Sequence, residues 1–393
     1  MAGSLHAVVL GASGESIHAI RVAQELGFVV TALDGDPGAL GLAVADKAMV
    51  VDISRPEAIA AALPERPDVI LPAPIGRYLT STGVMNDRFG LPGVSATSAA
   101  RCTDKLLFHR LMAEHGLRRS PCVEIPAGTT QHPTPAFPVV VKPRFGSGSR
   151  GVVICEDQAA LTAHLDRILP APDDMIVEEC AGGTEYGMDA AVVGGRLEVI
   201  LLREKILTPL PYRQAVGYYS VTDPASPVAR AAATVMQTAV RVLGLTNCLL
   251  HADLMWDEEA AFVIEVSARP SGHHLHDLFT PLATGMDPVR EFLKLAVPGL
   301  GSPYCFTPTH TRTLLIRFFD FANCRVTRVP TAEEVRTSPV LAYEEHCLGE
   351  YMPPVTDGPT LLKRGYAILE AADRAGLDAA ADDLLARFAL EKD

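Results

Sequence analysis

The stretch FVIEVSARPSGHHLHD, residues 262–277, gathers a dense set of reactive side chains. Glu265 closes an apolar run, Arg269 follows four residues later, and His273, His274, His276 and Asp277 crowd the end. Two chemistries compete for it. The histidines and Asp277 have the donor types of a Zn²⁺ site. Glu265, by contrast, lies twelve residues after Asp253, which sits in another apolar run, NCLLHADLMW. If the two runs are consecutive strands of a hairpin, the carboxylates lie side by side, and facing carboxylates repel unless a cation lies between them. Oxygen donors suit Mg²⁺, which takes one or two carboxylates plus substrate phosphate oxygens, with Mn²⁺ as a substitute. Arg269 then points at the same cavity as a fixed fork for an anion. On these residues alone both metal readings stay open, and His276 and Asp277 also read as the start of the next helix.

A phosphate site is legible upstream. Lys142 sits in the otherwise apolar strand VVVKP, where an unpartnered ammonium is costly to bury and so meets an anion or reaches a surface. The loop that follows, GSGSRG, presents N–H groups of Gly146, Ser147, Gly148, Ser149 and Gly151 to phosphate oxygens. Alone such a loop reads as a hairpin turn, and the strand lysine before it shifts the balance. Lys105 adds a cation at the start of a helix. Glu178 and Glu185 flank a Gly-Gly turn, so the strand end holding Glu178, Glu179 and Ala181 can face an adenine edge, and Glu185 can accept from ribose hydroxyls. Residues 203–220 form the wall opposite the glycine loop, where Lys205 and Arg213 meet phosphate or a substrate carboxylate, or else remain solvated. His251 is a packed or pocket-wall histidine, not a base. Arg77 and Tyr78 follow the strand DVILPAP, where a parallel sheet faces its ligand.

The elements that must position these groups alternate. LHAVVLG, a helical SGESIHAIRVAQELG, FVVTALDGD, KAMVVDIS, helical PEAIAAAL and DVILPAP read as βαβαβ, a parallel sheet wrapped by helices to about residue 100. GASGES after the first strand invites a dinucleotide reading, but Ile17 stands where the third glycine of the fingerprint belongs, and residues 100–300 stay unexplained. A helix at 103–116, a Pro-rich connector, strands ending at Lys142 and Cys155, a helix, three more strands, a Pro/Tyr/Gly loop at 208–227, a helix at 228–243 and the hairpin follow. Residues 304–393 read as a compact α+β piece.

Composition bounds the function. The 393 residues suggest two or three domains at roughly 150 residues each. Lys and Arg number 34 against 47 Asp and Glu, a net charge of −13, which argues against a nucleic-acid surface while leaving local phosphate sites open. The 8 cysteines lack CxxC spacing and read as free thiols. The N-terminal residues lack the pattern of a signal peptide, and no apolar run reaches the ~18 residues of a membrane span, so a cytoplasmic protein is expected.

Lys105, Lys142 with its glycine loop, Glu178 and Glu185, and Asp253 with Glu265-x-x-x-Arg269 together resemble the ATP-grasp superfamily, over roughly residues 5–300. The resemblance implies an α/β and α+β chain: an N-terminal parallel-sheet α/β domain (1–100), an ATP-grasp core of two α+β subdomains (101–303) and a small C-terminal α+β subdomain (304–393). It implies ATP with Mg²⁺ as cofactors, Asp253 and Glu265 as metal ligands, and Lys105 and Lys142 on phosphates. The implied reaction is carboxylate–amine ligation through an acyl phosphate. Many members read Glu-x-Asn-x-Arg where this chain has Ser267, so a metal bond through Ser267 is not implied. Serine there is similar to the branch holding the L-amino acid (dipeptide) ligases. In that branch Arg269 would hold the substrate carboxylate, and Gly272, His273 and His274 would line the amino-acid pocket. Small carboxylate and amine substrates, amino acids among them, are the expected partners, with homodimerisation left open. A carboxylase-type enzyme activating bicarbonate and a non-catalytic nucleotide-binding protein are the alternatives.

Overall fold

A computed structural model describes residues 4–118, 121–130 and 133–392. The reading of the first three residues as part of a leaderless start, and two short pieces of the Pro-rich connector, lie outside the described residues. The N-terminal alternation folds as a parallel sheet. Strands β1 (Leu5–Leu10), β2 (Phe28–Asp34), β3 (Lys47–Val50) and β4 (Val69–Ile70) pair in the order β3-β2-β1-β4. The central strand buries Ala7, Val8, Val9 and Leu10, as a strand covered on both faces must. Its carboxyl end runs into the short turn Gly14–Ser16, and the helix Ile17–Glu25 then turns Ala19, Ile20, Val22 and Ala23 inward.

A second, antiparallel sheet holds β5 (Cys122–Ile125), β6 (Val139–Pro143), β7 (Val153–Cys155) and β8 (Met175–Glu179), in the order β5-β8-β6-β7. The connector after residue 116 thus contains a strand that the sequence reading passed over. Alternation does the sorting in β6. Val139 and Val141 pack on Leu161 and Leu165 of the helix Gln158–Ile168, while Val140 and Lys142 face the other way.

The third sheet is the scaffold of the site. It contains β9 (Thr184–Val193), β10 (Arg196–Leu207), β11 (Ala215–Val221), β12 (Cys248–Trp256), β13 (Ala261–Ser267) and β14 (Leu314–Phe318). Beyond a three-stranded sheet built from β15 (Cys324–Arg328), β17 (Tyr351–Met352) and β19 (Ala389–Lys392), the chain adds β16 (Val340–Glu345) and β18 (Gly365–Glu370) to the large sheet. The eight strands run antiparallel as β13-β12-β9-β10-β11-β14-β18-β16. Two corrections follow. The expected loop at 208–227 holds β11, which pairs on one side with β10 just before it and on the other with β14, about a hundred residues away. The residues after 304 also supply three strands to the same sheet.

The helix Pro227–Leu243 shows why these elements form. Ser226 caps it by accepting from Ala229 N, Pro227 opens it, and Gly244 ends it in a left-handed conformation. Its inward residues Ala232, Met236, Ala239, Val240 and Leu243 follow helical spacing. They share a core with Val8, Leu10 and Leu33 of the N-terminal sheet and Met188, Leu250 and Val266 of the large one. The opposite face of the N-terminal sheet shares another core with Phe279, Phe292 and Ile316. Each such large side chain contributes about 1.5–3 kcal/mol on full burial, so the first hundred residues are fastened to the large sheet on both faces.

Candidate functional site

A cavity of ≈ 340 Å³ opens between the small and large sheets, with the carboxyl ends of β1 and β4 at one side. Strand periodicity aims the polar groups into it. On β12, His251, Asp253 and Met255 line the cavity while Leu250, Ala252 and Leu254 are buried behind. On β13 and its continuation, Glu265, Ser267 and Arg269 line it while Val266 and Ala268 face the core. The register pairs Asp253 directly with Glu265. The hairpin expected from the sequence therefore brings the two carboxylates onto one face.

The cations converge from the other side. Lys105 Nζ donates to Gly146 O at 2.7 Å and lies 3.7 Å from Glu265 Oε2. Its helix starts at Asp104, which accepts from Leu106 N and Leu107 N and is gripped by Arg144. Lys142 has found its anion within the protein: Nζ lies 2.6 Å from Glu178 Oε1, which Arg118 Nη2 also meets at 2.8 Å. Glu178 is 4% exposed, and although burial favours its neutral form, Lys142 and Arg118 hold its pKa down at about 2. Gly146, Ser147, Gly148 and Ser149 line the cavity. Gly151 does not line it. Its φ of +70° turns the chain away beside Pro143, a backbone shape that favours glycine.

The adenine-edge expectation narrows. Glu179, Cys180 and Ala181 are at the cavity wall, but Glu179 N donates to Pro121 O and Cys180 N to Pro138 O, so Ala181 is left to carry it. Glu185 is engaged as well, with Oε1 2.6 Å from Lys205 Nζ and Oε2 3.8 Å from Arg213 Nη2. Lys205, for which the sequence leaves an anion-binding and a solvated reading open, lies on β10 with its side chain only 5% exposed. Its Nζ also reaches Asp253 Oδ1 at 2.6 Å. Burial alone would lower its pKa, yet Asp253 and Glu185 outweigh this and raise it. Beside this group, Arg203 is fully buried against Asp189, and Arg203 Nη2 donates to Asp189 Oδ1 at 2.9 Å. His251 bridges the two, 3.5 Å from Asp189 and 3.3 Å from Asp253. Gly187, between Glu185 and Asp189, leaves the space that Arg203, Lys205 and His251 share: a side chain there would meet all three at 3.5–3.6 Å.

The substrate end is different. Arg269 Nη1 donates to Pro270 O at 2.7 Å, and among the described residues no carboxylate forms an ion pair with it. His273 lines the cavity with φ +59°, edge-on to Phe318, and burial with the fields of His251 and Arg269 holds its pKa at about 4. His274 does not line the cavity. Two consecutive left-handed residues swing it back onto Tyr366, with ring centroids 4.9 Å apart and Nδ1 3.3 Å from Asp277. His276 and Asp277 lie in the helical turn Leu275–Phe279, as expected. The histidines do not assemble a metal site. Among the described residues, the group of three such donors within 4.8 Å is His109, Cys122 and Glu178, where Glu178 already pairs with two cations. Arg77 lies over Tyr78 and borders only a side crevice, while Pro74 and Gly76 face the main cavity.

Glu15 escaped the sequence reading altogether. It lines the cavity from the turn after β1, and its Oε1 accepts from His273 N at 2.6 Å. The available signal was its place just past a parallel strand, where ligands bind in such sheets. Asp253 and Glu265 together fit a divalent cation: oxygen donors, paired in register, on the face that also meets the phosphate-loop cations. Asp253 would share its charge between that ion and Lys205.

Residues 135–276 match the family model described as ATP-grasp domain. The chain is 28% identical over 233 residues to an uncharacterized protein of Sinorhizobium fredii, covering 56% of this chain and 47% of that one. It is 28% identical over 331 residues to formate-dependent phosphoribosylglycinamide formyltransferase of Solidesulfovibrio magneticus, 78% of this chain and 80% of that one. It is 26% identical over 230 residues to human carnosine synthase 1, 51% of this chain and 27% of the other. The match thus spans about half the length of the first of these relatives and about a quarter of the last. The crystal structure of L-amino acid ligase from Bacillus licheniformis superimposes with a TM-score of 0.78 at 18% identity, covering 100% of both chains.

Proposed function

We propose that this chain, an ATP-grasp protein by the domain it carries, is an ATP-dependent ligase that joins a carboxylate to an amine, with an amino acid as the carboxylate donor. One observation carries the reading. A single cavity gathers Lys105, Lys142 and the glycine loop, the paired carboxylates Asp253 and Glu265, and an Arg269 that lacks an ion-pair partner among the described residues. The first two sets suit a nucleoside triphosphate with its metal, and the third suits an anionic second substrate.

The donor carboxylate attacks the γ-phosphorus of ATP, the bond from that phosphorus to the bridging oxygen of the β-phosphate breaks, and ADP departs as an acyl phosphate forms. The amine then attacks the acyl carbon, the tetrahedral adduct expels phosphate, and an amide remains. Asp253 and Glu265 would hold Mg²⁺, which would supply charge neutralisation at the phosphates. Lys105 and Lys142 complement the phosphate charge, for which Lys142 must share itself with Glu178. Residues 146–151 cover the phosphates and exclude water from the intermediate. Arg269 orients the reacting carboxylate and complements the oxyanion that forms on it. His273, neutral and in contact with Phe318, shapes the donor pocket beside it.

By name one relative is a synthase of carnosine and one structural neighbour is a ligase of L-amino acids, which supports the amino-acid donor. The formyltransferase, matched over four fifths of its length, favours a second reading in which formate is the carboxylate. No helix among the described residues is long and apolar enough to cross a membrane. All 8 cysteines are free, which suits the cytoplasm. A coupled assay decides between the readings: ADP release should require both an acid and an amine, with amino acids, formate and bicarbonate tested as the acid. Glu265→Ala and Lys142→Ala should each lower turnover by about 100-fold or more. Normal turnover in both variants rejects the proposal, and release driven by bicarbonate alone selects carboxylase chemistry.

A further inference from the structure

Two charged side chains at the substrate end stand apart from every ion pair around them. Arg269 donates to Pro270 O and has no carboxylate partner among the described residues. Glu15 accepts one hydrogen bond, from His273 N, and has no cation partner there either. They line the same cavity and each feels the other's field, yet they do not pair with each other. Both are held back by their backbones. Arg269 is tied to Pro270, and Glu15 is anchored to a residue with φ +59° that Gly272 allows it to reach. A Cβ at position 272 would stand 2.7 Å from Glu15 Oε1.

We infer that Glu15 receives the α-ammonium of the donor amino acid while Arg269 receives its carboxylate, so that the pair reads a zwitterion. The inference rests on the ligase reading above and adds the donor's second recognition point. Its chemistry is complementary on both ends. The ligand's cation meets the carboxylate that lacks one, and its anion meets the guanidinium that lacks one. Burial raises the pKa of Glu15, against the His273 N–H and Arg269, and a bound ammonium would reverse that cost.

The test compares acids that differ only in the amine: L-alanine against propionate, and L-valine against isovalerate. Binding is read by thermal shift with Mg²⁺ and a non-hydrolysable ATP analogue, and turnover by ADP release. Glu15→Gln keeps an oxygen to accept from His273 N and removes the charge. Wild type should bind only the α-amino acids. In Glu15→Gln, KM for them should rise about 10- to 100-fold, KM for ATP should hold, and the discrimination should disappear. A merely structural Glu15 would not change the ratio between amino and des-amino acids. Equal response of wild type to both classes, or unchanged discrimination in Glu15→Gln, overturns the inference. The two readings fail separately. Acid- and amine-dependent ADP release without discrimination leaves the ligase standing and removes the Glu15 role. Discrimination in binding that Glu15→Gln abolishes, without such ADP release, does the reverse.

Discussion

Buried charge is treated in opposite ways at the two ends of the cavity. Along the large sheet, Arg203 closes on Asp189, Lys205 on Asp253 and Glu185, and across the gap Lys142 and Arg118 close on Glu178. At the substrate end Arg269 and Glu15 stay open. Matched charges fix positions, because a buried ion with its partner in place has one favourable geometry. Open charges store an unmet interaction that a ligand satisfies. Proteins commonly give up stability at such sites in return for function.

Replacing one member of a matched set is the strongest way to break the contrast. Arg203→Met leaves Asp189 buried without its guanidinium and should destabilise the fold by about 3–5 kcal/mol, seen as a lowered melting midpoint. A midpoint within a degree of wild type would mean that the matched set does not hold the sheet. Arg269→Lys sharpens the contrast from the other side. It loses the planar fork and should reduce kcat/KM for the acid by about 100-fold, roughly 2.7 kcal/mol, with a melting midpoint that does not fall. The smallest effect belongs to a matched pair away from the cavity. His18 Nε2 lies 3.0 Å from Asp287, joining the helix Ile17–Glu25 to the cap of Pro288–Ala296. Burial disfavours the imidazolium, yet the Asp287 hydrogen bond and charge outweigh it and raise the His18 pKa. Burial likewise opposes the Asp287 charge, but His18 and the Val289 and Arg290 N–H groups lower its pKa. The His18 share is therefore present below its unfolded pKa of about 6.5 and lost as pH rises through the raised folded value. The Asp287 share is present above about 3.9 and lost as pH falls through the lowered value. Both are complete between about pH 4 and 6.5, and His18→Gln should flatten the alkaline fall by about 1 kcal/mol or less, measured as midpoint against pH.

How much of this the sequence disclosed depended on range. The βαβ alternation and the hairpin pairing of Asp253 with Glu265 are local, so strand period and short turns reveal them. β11 is hidden because AVGYYSV sits among prolines and glycines, although it pairs with β10 just before it as well as with β14 from Leu314. Lys205 has two readings in the sequence, an anion-binding cation or a solvated one, because charged REK stands at a strand end. Only the registry of β10 on β9, and β9 on β12, puts it between two carboxylates. Glu15 is a loop glutamate until residues 272–273, some 258 positions away, close over it. His274 was misplaced because two successive left-handed residues are not visible in a run of histidines.

The tip of the glycine loop has consequences for anyone exchanging parts between relatives. Ser147 Oγ would meet a Cβ on Gly76 at 2.8 Å, and Gly148 O accepts from Gly358 N at 3.0 Å. The loop is thus stapled to stretches that precede and follow the matched domain, and that domain is not a cassette. A chimaera must import both staples with it. At position 358 the tolerance is narrow, since a Cβ there would stand 2.4 Å from His273 Nε2. A graft that brings any residue but glycine would press on His273 and on the Gly148 contact in a single stroke.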